Sequence, residues 1–111
     1  MQLESKKFLY DISKASNKIL TFVGAKCWDD YYQDDLLKSG VERQFEIIGE
    51  ALNQLSKVDN STVVKITDYQ QIISFRNILI HGYADVDDRL VWNLIETKLA
   101  LLVEQVDGLI K

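Results

Sequence analysis

The sequence predicts an all-α bundle of four main helices, with a short helix in the connection between the first two. Three observations point there. The 111 residues contain no proline and only five glycines, so long helices meet few breaks. Apolar residues recur at spacings of three and four over long stretches, as one face of a helix requires. The one β-branched run, Val63 to Thr67, is too isolated to build a sheet.

The first helix is expected from about Ser5 to Ala25, with Phe8, Ile12, Ala15, Ile19 and Phe22 on its apolar stripe and Gly24 where it loosens or ends. Cys27-Trp28-Asp29-Asp30-Tyr31-Tyr32 reads as a connector with a short turn of helix, its aromatic residues covering one end of the core. The second main helix runs from about Asp35 to Lys57 on a stripe of Val41, Phe45, Ile48, Leu52 and Leu55, widened by Ile47. Its polar side carries Glu42, Arg43, Glu46 and Glu50, where contacts one turn apart are available. Gly49 lies inside this helix, at a cost of about 1 kcal/mol relative to alanine. Close approach of another helix backbone would compensate.

Asp59 to Thr62 reads as a loop. Asp68 with Gln71 resembles a capping box that opens a third helix, Tyr69 to about Gly82. Asp85 or Asp87 can cap the last helix, about Asp88 to Leu109, and Asp88 also suits a helix N-terminus. Val91, Leu94, Ile95, Leu101, Leu102 and Ile110 form its apolar face, which Lys98 interrupts. Four helices with short connections make a bundle, and the length makes it a single domain, residues 1–111.

Composition excludes several function classes. Hydrophobic residues at 47% allow a small core, and charged residues at 27% rule out a disordered or membrane-like chain. No apolar run approaches the roughly 18–20 residues of a membrane span, and the charged start lacks a signal-peptide core, so the expected location is cytoplasmic. A net charge of −4 argues against coating nucleic acid through a broad basic face, though not against a nuclease with a local basic cleft. One Cys and one His cannot supply a structural zinc set, and no cofactor is expected. Cys27 is expected as a structural thiol. There is no glycine loop of the kind that cradles a nucleotide phosphate.

The informative stretch is Ile73 to Tyr83. Arg76, Asn77 and the only histidine, His81, interrupt a segment of Ile, Leu and Phe, where unpartnered polar groups would be costly to bury. At about 100° per residue, Arg76, Ile80 and Tyr83 fall near one line, and His81 lies about 140° around from Arg76. The two could converge if the helix unwinds near Gly82, if Arg76 reaches around, or if a facing element or second subunit completes the pocket. Together they suit attack on phosphate without metal, the imidazole moving protons and the guanidinium binding phosphate oxygens. The structural alternative stays open on these residues alone: His81 as a helix C-terminal group, and Arg76 paired with Glu46 or Glu50.

Arg76-Asn77-Ile78-Leu79-Ile80-His81-Gly82-Tyr83 resembles the R-x-x-x-x-H-x-Y motif of HEPN nucleases, and most closely their HepT-like branch. Val41-Glu42-Arg43-Gln44-Phe45-Glu46-Ile47-Ile48-Gly49-Glu50-Ala51 resembles that branch's long-helix segment, and Leu90-Val91-Trp92 the start of its last helix. The resemblance implies a HEPN-type bundle and a metal-independent endoribonuclease toxin that cuts RNA, tRNA among the candidates, and leaves a 2′,3′-cyclic phosphate. It implies Arg76 and His81 as the catalytic pair, Asn77 as their polar neighbour, and a homodimer whose two motifs border a shared groove. It further implies a nucleotidyltransferase antitoxin of the MntA type, with or without a larger complex, and Tyr83 as the tyrosine it modifies with AMP. A packing role for Tyr83 stands equally open. The sequence departs from the family at Ile66-Thr67-Asp68-Tyr69, where relatives often carry Pro and Trp. The alternative reading is a non-catalytic helical module that binds a nucleotidyltransferase, a role that suits an acidic chain.

Overall fold

The computed structural model describes residues 2–82 and 86–111. These form α1 (Leu3–Val23), α2 (Trp28–Gln33), α3 (Asp35–Val58), α4 (Asn60–Val63), α5 (Tyr69–His81), α6 (Asp88–Thr97) and α7 (Leu99–Ile110). No strand occurs among the described residues. No helix among them is long and apolar enough to cross a membrane.

The α3 helix is the centre of the bundle, packed against α1, α2, α4 and α5, while α7 packs on α1 and α6. Its expected stripe is buried residue for residue: Val41, Phe45, Ile48, Leu52 and Leu55. Each such side chain contributes about 1.5–3 kcal/mol on leaving water. The α1 stripe is rotated from the expected one. Ile12, Ala15 and Ile19 are buried as expected, but Leu9 and Val23 complete the row. Phe8 is only partly buried, and Phe22 lies over the edge of α3, where a side-chain carbon on Gly40 would sit 3.5 Å from its ring.

Two other expectations are corrected. Asp59–Thr62 is not simply a loop, because Asn60–Val63 makes one helical turn. The single last helix is divided at Lys98 into α6 and α7. Lys98 Nζ reaches Asp68 Oδ2 at 2.6 Å, which accounts for the lone cation on an apolar face, while the bonds from Lys98 N–H to the Leu94 carbonyl and from Leu102 N–H to the Lys98 carbonyl carry the helical pattern across the break. The expected capping box at α5 does not form. Asp68 stands at the N-cap with φ of 60°, and its carboxylate accepts from Lys98 instead of capping its own helix. Asp87 does cap α6, accepting from the amides of Arg89 and Leu90. The other candidate cap, Asp85, lies outside the described residues.

Between α1 and α3, Cys27 is exposed and caps α2. Its backbone amide and thiol both donate to Asp30 Oδ2, which holds that carboxyl below its ordinary range, the amide counting most. Tyr31 is completely buried, with its ring centroid 5.3 Å from that of Trp92, and the aromatic group closes one end of the core as expected. Burial, reinforced by Glu42 and Asp88, pushes the Tyr31 phenol up.

Asp59 joins α1 to α4. It accepts from the hydroxyls of Thr62 at 2.7 Å, Ser5 at 2.8 Å and Ser61 at 2.9 Å, which draw its pKa from 3.8 to about 2. A depressed carboxyl stabilises the fold above its unfolded value and loses that contribution as pH falls through the folded one. Asp59→Asn should therefore melt below the parent at pH 7, and the gap should narrow between about pH 4 and pH 2. Thermal melts of both proteins across that range check this, and a gap that does not change with pH would refute it.

Candidate active site

The site is built where α5 crosses α3. Gly49 is the reason the two backbones approach so closely. A side-chain carbon placed there would overlap Arg76 Cβ, lie 2.7 Å from Arg76 Cγ and sit 3.3 Å from the Ile72 carbonyl oxygen. The close approach expected from a mid-helix glycine is thus made by α5, and specifically by the stem of Arg76. One residue earlier, Phe75 packs edge-on against Phe45, with centroids 5.4 Å apart and planes at 83°. These contacts fix the rotation of α5 on α3.

Of the two acids that could pair with Arg76, the fold selects Glu50. The Arg76 Nη2 atom donates to Glu50 Oε2, and Nη1 donates to Asn77 Oδ1 at 2.8 Å. Glu46 is engaged elsewhere, with Arg43 at 3.1 Å. Gln54 Nε2 donates to the second Glu50 oxygen at 2.9 Å. The resulting row is Gln54, Glu50, Arg76 and Asn77. Gln54 was not singled out from the sequence; its only signal there is its position one turn beyond Glu50 on the same helix.

The Arg76 side chain is 21% exposed and that of Glu50 44%, so the guanidinium is sheltered but open to solvent. His81 is exposed and is the last residue of α5. Gly82 leaves the helix with φ of −70° and ψ of 112°. The helix is regular up to His81, so unwinding at Gly82 begins too late to swing the imidazole toward Arg76. The structure thus brings Arg76 to Asn77 and Glu50, while His81 stands about 1.4 turns further along and faces another direction. Tyr83 lies outside the described residues. No group of three or more His, Cys, Asp or Glu side chains placed to hold a metal ion occurs among the described residues.

A sheltered arginine with spare donors and an exposed histidine on one helix is an arrangement suited to phosphate chemistry. Residues 12–109 match the family described as ribonuclease HepT-like. The chain belongs to that family. Among its HepT-like relatives, a protein of Methanocaldococcus jannaschii provisionally named as an RNase is 28% identical, over 92% of this chain and 93% of its own. The probable ribonuclease HepT of Thermococcus cleftensis is 29% identical over the whole of both chains. A provisionally named RNase of Caldanaerobacter subterraneus is 31% identical over 76% of this chain and 74% of its own. No solved structure gives a significant match.

Proposed function

We propose that this HepT-like chain is a metal-independent endoribonuclease toxin in which Arg76 and His81 carry the reaction. The observation that carries this reading is Arg76 itself: a partly exposed guanidinium, held by Glu50 and Asn77, on the helix that ends in exposed His81. In the proposed step His81 takes the proton from an RNA 2′-hydroxyl. The 2′ oxygen bonds to the adjacent phosphorus, and the bond to the 5′ oxygen breaks, leaving a 2′,3′-cyclic phosphate. The 5′ oxygen takes a proton from water as it leaves, and His81 returns the one it accepted to solvent. Arg76 meets the charge that grows on the phosphate oxygens.

With His81 about 140° around α5 from Arg76, the reading includes a second copy, the two motifs facing across a common groove. Support for such a dimer comes from Ile78 and Ile80, 53% and 43% exposed on the motif helix, and from Leu90, which borders the same apolar recess as Ile78. Ile80 is exposed on the Arg76 side of the helix and Ile78 on the opposite side, and exposed apolar residues of this kind suit an interface. The reading extends to tRNA as a candidate substrate, to a nucleotidyltransferase antitoxin of the MntA type, and to Tyr83 as its target. An AMP group placed two residues beyond His81 would exclude RNA by charge and bulk.

The test is cleavage of total RNA by protein whose mass shows Tyr83 unmodified, in the presence of EDTA. The expected result is cleavage undiminished by EDTA, with cyclic phosphate at the 3′ ends of the fragments. Cleavage that disappears with EDTA and returns with magnesium would overturn the chemistry. Absence of any cleavage would favour the non-catalytic nucleotidyltransferase-binding module.

A further inference from the structure

We infer that Glu50 is a positioning residue for the reaction: it holds the Arg76 guanidinium in the orientation the phosphate needs, and its charge limits RNA affinity. This rests on the ribonuclease reading and adds to it a residue from outside the R-x-x-x-x-H-x-Y motif.

The geometry makes Glu50 more than a neighbour. Glu50 and Arg76 are 26 positions apart in sequence, and the contact exists because Gly49 lets the Arg76 stem rest directly on α3. With its stem pinned there, the guanidinium meets the acid next to the glycine. Glu50 is itself fixed, since Gln54 holds its other oxygen at 2.9 Å. Asn77 engages the second terminal nitrogen of Arg76 at 2.8 Å. Both ends of the fork are therefore restrained, while three of its five N–H donors are left for a phosphate.

Stability alone is a poor account of this pair. With side chains 21% and 44% exposed, it is the kind of contact that adds little to a fold. It also sets a carboxylate beside the one cation the reaction needs, in a chain of net charge −4 that must approach a polyanion. Such a cost to binding is reasonable if orientation is what the pair supplies, because a small misplacement of a charge-stabilising group costs heavily in rate.

The experiment compares the parent with Glu50→Gln and Glu50→Ala on an oligoribonucleotide chosen from the parent's own cuts in total RNA. Glutamine keeps an oxygen that accepts from Arg76 and can keep the contact with Gln54 by rotating the latter's amide, but it carries no charge. Glu50→Gln should recover most of kcat and lower KM by about three- to tenfold, as expected when one negative charge some 6 Å from a phosphate is removed. Glu50→Ala should lower kcat by about ten- to a hundredfold, because the fork is released. Thermal melts accompany both. A pair that only braces the fold would give equal falls in melting temperature and no selective change in KM, which would overturn the inference. So would loss of kcat in the glutamine variant equal to that in alanine. If the parent cleaves and the variants behave like it, only the role of Glu50 is lost. If the parent leaves RNA intact, the ribonuclease reading fails and this inference falls with it.

Discussion

His81→Ala is expected to lower RNA cleavage by between about a hundredfold and ten-thousandfold, the usual loss when a group that moves a proton in the transition state is removed. The melting temperature should hardly move. His81 is exposed at the last position of α5, so the substitution opens no cavity in the core. The fold loses at most the favourable interaction of an imidazolium with a helix C-terminus, about 0.3–1 kcal/mol. Arg76→Ala makes the instructive contrast. It should also abolish most activity, but it breaks the contact with Glu50 and strips the chain that lies across Gly49, so stability should fall as well. Rates and melts of the two variants side by side would separate chemistry from architecture. A His81→Ala protein that cleaves RNA at the parent rate would end the proposal that this residue acts in the reaction.

That contrast also marks how far the sequence could be read. The centre of the α3 stripe was legible because Val41, Phe45, Ile48, Leu52 and Leu55 recur on one face, although Leu37 and Ala51 are buried with them and Leu36 is not. The α1 stripe was not, because Phe8 and Leu9, and again Phe22 and Val23, are adjacent apolar pairs either of which continues the row through Ile12, Ala15 and Ile19. Packing against Gly40 settles Phe22 at the margin. The break between α6 and α7 has no glycine or proline to announce it. Lys98 there pairs with Asp68, 30 positions away, and Asp68 makes no side-chain cap although local pattern alone supports a capping box. At the site, the motif identified Arg76, Asn77 and His81, and the charged side of α3 offered Glu46 and Glu50 without ranking them. Only the crossing of two helices ranks them: Arg76 emerges over Gly49, beside Glu50, while Glu46 is engaged with Arg43.

Gly49→Ala should lower both stability and rate. By local rules it ought to help, since alanine inside a helix is favoured over glycine by about 1 kcal/mol. Tertiary structure reverses the sign. The new carbon would overlap Arg76 Cβ and lie 2.7 Å from its Cγ, where nonbonded carbons settle at about 3.5–4.0 Å. Neither atom is the free end of a flexible side chain: Cβ moves only with the α5 backbone, and the Ile72 carbonyl 3.3 Å away is backbone too. The helix must therefore shift by about an ångström, straining the Phe45–Phe75 contact that sets its rotation. Overpacking of this kind costs about 1–3 kcal/mol net, which for a domain of this size is a fall of about 4–13 °C in melting temperature. The same shift carries the guanidinium away from Glu50 and from the phosphate position, so kcat should fall by about a hundredfold even in the fraction that remains folded. Measuring kcat well below the melting transition isolates that second effect. A variant as stable and as active as the parent would mean that α5 does not rest on Gly49 in solution, and the placement of Arg76 would have to be abandoned.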